Sequence, residues 1–359
     1  CRHVQYCFNH RRMMRRTVIS LMGLLLGCLF FLEACKKQGD SPSMLIPLQF
    51  LVPPGFPEPV YKFENNTLSQ QGFELGKKLF YDGRLSQDGN FPCASCHQQF
   101  AAFATFDHPL SHGFNNQFTT RNAPGLFNVV WMKEMHWDGG INHIEVQPLA
   151  PIVAENEMAE TIDNVIAKLK EDAAYRQMFK TVFGDEEINS QRMLKALTQF
   201  VAMLVSANSK YDKVKRGAAS FTEAEEAGYR VFQAKCAACH TEPLFTDNSF
   251  RNTGLPVNDI LKDIGRMRIT GNAADSLKFK VPSLRNVYAT FPYGHDGRFY
   301  SVGAVIDHYR FGVVNGPATD PIVKDKIAIS DYEKLDLLAF LRTLTDSTFI
   351  GDKRFAQPQ

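Results

Sequence analysis

The sequence carries the motif Cys-x-x-Cys-His twice, at Cys93–His97 and at Cys236–His240. In a c-type haem site, the two thiols of this motif bond to the haem vinyl groups and the histidine ligates the iron. A single copy would leave two alternatives open, a zinc site built from cysteine and histidine or a redox-active cysteine pair. The duplication constrains the fold more strongly, because each copy must lie in its own haem-binding module.

Both motifs follow the same kind of segment. Residues 69–80 precede the first motif and residues 221–232 precede the second, and each segment has apolar residues at helical spacing and ends in an aliphatic residue followed by Phe. Thr222 and Glu225 fit a capping box at the start of the second helix. The first copy has a longer loop, within residues 81–92, between its helix and its cysteines. We therefore predict two c haems, with His97 and His240 as proximal ligands.

The N-terminal residues have the features of an export signal. Arginines cluster at residues 11–16, an apolar run covers residues 18–32, and Cys35 follows in a sequence that resembles a bacterial lipobox. We predict a lipoprotein-type signal peptide over residues 1–34 and a periplasmic protein tethered to the membrane by lipid at Cys35. Simple cleavage or an uncleaved anchor are the alternatives, and all three lead to export. Met13 or Met14 would be a more natural start than Cys1.

The remaining sequence indicates a mainly α fold. The chain has 359 residues, of which 44% are hydrophobic and 22% charged, with a formal net charge of +2, so it is neither a disordered chain nor a strongly charged nucleic-acid binder. We predict a Pro-rich tether over residues 35–67 and two cytochrome c-like domains with long loops, each binding one haem. The first domain covers residues 68–210 and the second covers residues 211–350. Further helices are predicted over residues 161–183, 190–205 and 330–344.

From about Leu68 to Leu344, the chain resembles the bacterial di-haem cytochrome c peroxidases and their MauG-type relatives. Several blocks carry the resemblance together, in an order and at spacings that fit this family. They are Arg121–Pro124, Trp137–Gly139, Gln147, Pro151, Glu157–Met158, Val281–Asn286 and Pro292–Gly297.

The resemblance implies that the first haem reacts with peroxide. Glu157 stands at the position of the catalytic acid/base, and Gln147 and Pro151 stand at positions that line the distal pocket. Without the resemblance, Glu155 and Glu157 would both be taken for solvated loop charges. Trp137 occupies the position of a residue that relays electrons between the haems, although it would serve equally as a core aromatic.

The resemblance also implies a calcium ion between the haems, bound by Asn122 and the backbone carbonyls of Thr290 and Pro292. Oxygen ligands of this kind suit Ca²⁺, while the alternative for Asn122 is a loop cap. His112 resembles a removable distal ligand of the first haem. We expect the other histidines of this part of the chain, His108, His136 and His143, to be surface or structural residues.

The distal ligand of the second haem separates the peroxidases, which use Met, from the MauG-type proteins, which use Tyr. Tyr309 falls at this position and no Met lies nearby, which points towards the MauG-type branch. Helix packing is the alternative role for Tyr309, and His308 is a weaker candidate for the ligand.

The favoured function is that of a peroxidase that reduces hydrogen peroxide to water. Electrons would come from a small soluble donor, a cytochrome c or a cupredoxin, enter at the C-terminal haem and pass to the N-terminal haem. One alternative is a MauG-like enzyme that oxidises a partner protein through a high-valent haem pair, and another is a non-enzymatic di-haem electron carrier. No nucleic-acid partner is expected, and a homodimer is one of the states that the family adopts.

Overall fold

The computed structural model describes residues 44–358. The predicted signal peptide, the lipid site at Cys35 and the first part of the tether lie outside the described residues. Residues 45–358 belong to one compact unit, which contains three clusters of buried hydrophobic side chains. The two domain ranges drawn from the sequence therefore stay a prediction. Within residues 44–358, no helix has the length and apolar character needed to cross a membrane.

The first half of the described chain contains helices joined by long loops. These helices are α1 (Gln70–Phe80), α2 (Cys93–Cys96), α3 (Leu149–Val153), α4 (Ile162–Glu171), α5 (Ala173–Phe183) and α6 (Ser190–Ala202). Short 3₁₀ turns lie at Phe63–Asn65, Gly83–Leu85, Gln99–Ala101, Phe114–Asn116 and Val129–Trp131.

The second half has the same character, with a single two-stranded antiparallel sheet among the described residues. Its helices are α7 (Lys210–Lys215), α8 (Glu223–Lys235), α9 (Met267–Thr270), α10 (Val302–Asp307), α11 (Pro321–Lys324), α12 (Asp331–Arg342) and α13 (Ser347–Ile350). The strands are β1 (Phe250–Arg251) and β2 (Phe279–Lys280), a π-helix spans His308–Gly312, and 3₁₀ turns lie at Ala273–Asp275 and Lys353–Phe355. The prediction of a mainly α fold is confirmed.

Most predicted helices are present, and one prediction is wrong in a specific way. Residues 161–183 were expected to form one helix, but α4 ends and α5 begins at Asp172. The Asp172 carboxylate accepts hydrogen bonds from the backbone N–H groups of Ala174 (2.7 Å) and Tyr175 (3.3 Å). A side chain in this role caps a new helix start, which interrupts an otherwise continuous apolar pattern. The capping box of Thr222 and Glu225 is present as predicted.

The duplication is visible in how the helices cross. In the first half α1 packs on α6, and in the second half α8 packs on α12. A Cβ atom added at Gly76 would lie 1.9 Å from the carbonyl oxygen of Ala196, and one added at Gly228 would lie 1.9 Å from that of Asp336. Each glycine stands four residues before the Phe that ends the repeated segment. The same close helix crossing therefore builds both halves.

The segment before α1 is extended and lies along the first half. The backbone N–H groups of Val60 and Tyr61 both donate to the carbonyl of Val130, at 2.9 and 3.0 Å. The indole N–H of Trp131 donates to the carbonyl of Pro57 at 2.7 Å. Proline has no backbone N–H, so this segment cannot form a regular ladder of its own hydrogen bonds. These three bonds join it to the 3₁₀ turn at residues 129–131 instead.

The C-terminal residues return to the first half. Phe349 and Phe355 are buried in the hydrophobic cluster that includes α1 and α6. The hydroxyl of Tyr81 donates to the carbonyl of Phe355 at 2.7 Å, and the amide of Gln99 donates to that of Asp352 at 2.8 Å. The core of the first half thus includes the far end of the chain.

We expect Gly228→Ala to lower the free energy of unfolding by about 2 kcal/mol, because the added methyl group meets rigid backbone and forces α8 and α12 apart. This loss exceeds the gain of about 1 kcal/mol that Ala normally brings to a helix. Denaturant unfolding of the holoprotein would measure it. Gly303 is the matched control, because an added Cβ there makes only ordinary van der Waals contacts, with the flexible end of Lys334 at 3.5 Å and the hydroxyl of Ser301 at 3.8 Å. Gly303→Ala should be neutral or stabilising, and equal losses in both variants would contradict the proposed crossing.

Candidate haem and peroxide site

One cavity of about 760 Å³ runs past both Cys-x-x-Cys-His motifs. All of the site residues predicted from the sequence contribute to its wall. They are Cys93, Cys96, His97, His112, Asn122, Trp137, Gln147, Pro151, Glu157, Cys236, Cys239, His240, Thr290, Pro292 and Tyr309.

The first motif forms one helical turn that presents its side chains to the cavity. The backbone N–H of His97 closes this turn on the carbonyl of Cys93 at 3.0 Å. The ring Nδ1 of His97 lies 2.8 Å from the carbonyl oxygen of Phe103 and donates to it. Burial lowers the pKa of His97, so the ring is neutral and its Nε2 carries the lone pair that a metal ligand needs.

The second motif repeats this arrangement. The N–H of His240 bonds to the carbonyl of Cys236 at 3.0 Å, and the ring Nδ1 bonds to the carbonyl of Phe245 at 3.1 Å. Phe103 and Phe245 are both fully buried and both have left-handed backbones, with φ of 59° and 56°. This conformation is uncommon for residues other than glycine and often marks a functional constraint. Here it turns each carbonyl towards an imidazole.

These residues fit c haem better than the two alternatives. Cys93, Cys96, Cys236 and Cys239 are free thiols on the cavity wall. Within residues 44–358, no group of three or more His, Cys, Asp or Glu side chains converges on a point that could hold a metal ion, as a zinc site would require. Burial raises the pKa of Cys93 and of Cys236 to about 12, whereas a reactive redox cysteine has a lowered pKa.

Glu157 and Glu155 differ clearly in their surroundings. Glu155 is exposed, whereas Glu157 is half-buried on the cavity wall. Burial raises the pKa of the Glu157 carboxyl above its ordinary value, and this carboxylate in turn contributes to the raised pKa of Cys96. The backbone N–H of Phe114 donates to the carbonyl of Glu157 at 2.7 Å and fixes this part of the loop. A half-buried carboxyl with a raised pKa near the first motif has the properties of an acid/base group.

His112 is exposed and lies at the edge of the cavity. Its ring packs against Phe118, with 4.5 Å between centroids. The next residue, Gly113, lies so close to the loop opposite that an added Cβ would be 2.2 Å from the carbonyl oxygen of Asn156. The loop that carries His112 is therefore packed directly on the loop that carries Glu157.

Trp137 is held by both halves of the chain. Its indole N–H donates to the carbonyl of Asn122 at 2.8 Å, and its own carbonyl accepts from the N–H of Lys280 at 2.7 Å. The next residue, Asp138, is fully buried and accepts hydrogen bonds from Arg121 (2.6 Å) and Arg268 (2.7 Å). Burial alone would raise the pKa of Asp138, but the two arginines outweigh it and lower the pKa to about 2.

Asn122, Thr290 and Pro292, the residues expected to bind calcium, all contribute to the cavity wall. The side-chain N–H of Asn122 donates to the carbonyl of Pro109 at 3.0 Å. This contact orients the amide and leaves its oxygen as the group that can face a cation. An amide oxygen and backbone carbonyls are chemically suited to Ca²⁺.

Tyr309 and His308 lie on the π-helix that follows α10. The ring Nε2 of His308 bonds to the carbonyl of Thr253 at 2.9 Å and is occupied by that contact. Burial raises the pKa of Tyr309, and the thiols of Cys239 and Cys236, which line the same cavity, raise it further. π-helical turns are frequent at functional sites because they shift the helical register.

Sequence reasoning missed His136, which was expected to be a surface or structural residue. It is half-buried on the cavity wall, and its Nε2 lies 3.3 Å from the amide nitrogen of Gln147. The only signal in the sequence was its position directly before Trp137. Its backbone has a φ of 63°. The direction of its side chain therefore cannot be predicted from residue spacing alone.

Three comparisons with known proteins agree. Residues 70–220 match the family model described as di-haem cytochrome c peroxidase. The methylamine utilization protein MauG of Methylorubrum extorquens is 35% identical over 294 residues, which cover 80% of this chain and 82% of that protein. The cytochrome c551 peroxidase of Nitrosomonas europaea is 32% identical over 341 residues, which cover 93% of this chain and 92% of that protein.

Among solved structures, a MauG-like protein associated with microbial copper homeostasis superposes with a TM-score of 0.79 at 33% sequence identity. The superposition covers 87% of this chain and 99% of that one. The chain therefore belongs to the family of di-haem cytochrome c peroxidases and MauG proteins, and it is a peroxidase-type oxidoreductase.

Proposed function

We propose that this protein reduces hydrogen peroxide to water at the haem held by Cys93, Cys96 and His97. The observation that carries the proposal is the half-buried carboxyl of Glu157, which shares a cavity wall with this motif while the neighbouring Glu155 is exposed. Peroxide cleavage requires a group that moves a proton from one oxygen to the other. Glu157 is a titratable group with the burial and location for that task.

Family membership implies two covalently bound c haems, and the residues of the cavity fit them. When bound, the haem iron supplies the position at which peroxide is held and the electrons that reduce it. His97 and His240 would hold the two irons through Nε2, since Nδ1 of each ring is engaged by a backbone carbonyl. Glu157 takes a proton from the peroxide and returns it to the departing oxygen, while Gln147 and Pro151 line the space around it.

We assign electron entry to the haem of the second motif, with Trp137 between the two haems. Trp137 is bonded to Asn122 in the first half and to Lys280 in the second, so it is positioned by both. A small soluble redox protein, a cytochrome c or a cupredoxin, would dock transiently and supply the electrons. The sequence supports export, and we propose a periplasmic location with a lipid anchor at Cys35.

A MauG-like activity, in which the protein oxidises a partner protein, is the second candidate. Tyr309 favours it, because this phenol is on the cavity wall close enough to Cys236 and Cys239 for these thiols to raise its pKa. The methionines on the cavity wall are Met132, Met135 and Met158, and all three belong to the first half. The similarity to the MauG protein and to the MauG-like protein associated with copper homeostasis supports the same candidate.

The source of electrons can be tested directly. Adding one equivalent of hydrogen peroxide to the ferric holoprotein, with and without a reduced cytochrome c, separates the two candidates by absorption spectroscopy. Rapid oxidation of the cytochrome supports the peroxidase. A long-lived spectral change that the cytochrome does not discharge supports the MauG-like enzyme. Two low-spin haems that do not react with peroxide would rule out both and leave an electron carrier.

We predict that Glu157→Gln slows the reaction with peroxide by about 10²–10⁴-fold, since it removes the proton-transferring group. The acid/base group must begin ionised, and burial raises its pKa above the ordinary 4.5. The wild-type rate should therefore fall as the pH decreases through a value above 4.5, and the variant should lose this dependence. Stopped-flow rates across pH measure both effects. Glu155→Gln is the matched control and should behave as wild type, whereas full activity in Glu157→Gln would remove the assignment.

We predict that Tyr309→Met raises the reduction potential of the second haem, because a thioether stabilises ferrous iron better than a phenolate does. A spectroscopic redox titration of the holoprotein measures the change. In the matched variant His308→Gln the potential should stay constant, since the His308 ring is bonded to Thr253. A shift in His308→Gln alone would identify His308 as the ligand and overturn the assignment of Tyr309.

We also propose that Asn122, Thr290 and Pro292 bind calcium. Because the carbonyl of Asn122 accepts the indole N–H of Trp137, removal of the ion should disturb the relay residue as well. Treatment with a calcium chelator is expected to lower peroxide turnover, and added Ca²⁺ should restore it. Turnover that does not respond to the chelator, in protein shown by metal analysis to be free of calcium, would refute this site.

A further inference from the structure

His136 occupies an unusual backbone conformation in a tightly held loop. Its φ is 63°, and the loop is closed by a hydrogen bond of 2.6 Å from the N–H of Met135 to the carbonyl of Ile141. Left-handed backbone carries a steric cost for residues with a Cβ atom, and Asn, Asp and His are the ones that adopt it most often. The backbone therefore admits histidine here, and the contacts of the side chain show what the imidazole adds.

The side chain contacts Gln147. The amide nitrogen of Gln147 lies 3.3 Å from the Nε2 of His136, at the long end of hydrogen-bond distances. An amide nitrogen can only donate, so the ring Nε2 accepts and the ring proton resides on Nδ1. The amide group is planar, and its NH₂ group is held by His136. The amide oxygen is therefore the atom that can contact a molecule in the cavity.

The surroundings of His136 support the neutral ring that this contact requires. Burial lowers its pKa most strongly. Asp138 acts in the opposite direction and raises it, but three cations lower it further, namely Lys280, Arg121 and Arg268. A protonated ring would place N–H against N–H at Gln147, and the environment disfavours that form.

We propose that His136 is a positioning residue of the peroxide pocket, which holds the NH₂ group of Gln147 and thereby turns the amide oxygen towards the space that Glu157 faces. This inference rests on the proposed function, because it assumes that Gln147 and Glu157 line the pocket of the first haem. The three residues belong to one cavity wall.

The proposed orientation has a chemical purpose. Hydrogen peroxide carries O–H donors, and an amide oxygen can accept from one of them while Glu157 accepts from the other. The bound peroxide then points towards Glu157 the O–H group whose proton Glu157 takes. An amide free to rotate would present its N–H groups for part of the time and would hold peroxide less well.

Fluoride is a suitable probe because it binds ferric haem and only accepts hydrogen bonds. In the wild-type holoprotein the amide oxygen of Gln147 faces fluoride and repels it. His136→Asn keeps a residue that tolerates left-handed backbone but removes the imidazole, so the amide can turn and donate to fluoride. We expect fluoride to bind about 5–10-fold more tightly, which is the effect of gaining one hydrogen bond. His143→Asn is the matched control, because His143 is exposed and lies off the cavity wall, and its affinity should equal that of wild type.

A double-mutant cycle shows whether His136 acts through Gln147. In a Gln147→Leu background, His136→Asn should leave fluoride affinity unchanged. An equal effect in both backgrounds would show that His136 acts on the ligand directly and would overturn the positioning role. Unchanged fluoride affinity in the single variant His136→Asn would also overturn the positioning role. Glu157→Gln separates this failure from failure of the proposed function: loss of peroxide reactivity in Glu157→Gln keeps the pocket assignment, whatever the fluoride result.

Discussion

The hydrogen bond from each haem-binding histidine to a buried carbonyl is the interaction on which the rest of the site depends. Phe103 and Phe245 supply these carbonyls. Both residues are fully buried and have a left-handed backbone. The bond fixes the tautomer and the ring plane, so Nε2 of each histidine faces the cavity. Helix crossings at Gly76 and Gly228 then set the walls around it. The two halves therefore share one scaffold for holding iron.

The two halves contribute different side chains to the rest of the cavity wall. The first half contributes polar residues that can act on a small substrate, Gln147 and Glu157 together with His136. The second half contributes Tyr309 from a π-helix beside its cysteine pair. The duplicated scaffold thus carries different side chains in its two halves, as the proposed division of roles between the two haems requires.

Much of this arrangement could be predicted from the sequence, because short motifs with a fixed chemical purpose carry it. The two Cys-x-x-Cys-His motifs, the Thr222 capping box and the mainly α fold were all found in this way. The break at Asp172 was not, since a capping carboxylate can interrupt a continuous apolar pattern. His136 was missed for a related reason. Its proposed role follows from a left-handed φ and from a contact with Gln147, eleven residues away, and neither feature produces a periodic pattern in the sequence.

The return of the C-terminal residues to the first half has a consequence for how the protein matures. Phe349 and Phe355 complete the core that surrounds α1, yet in the chain they follow almost the whole of the second half. The first half consequently cannot reach its final packing until the second half has also been synthesised. A chain interrupted before Phe349 would leave the first haem site beside an unfinished core, so the two haem sites are completed together.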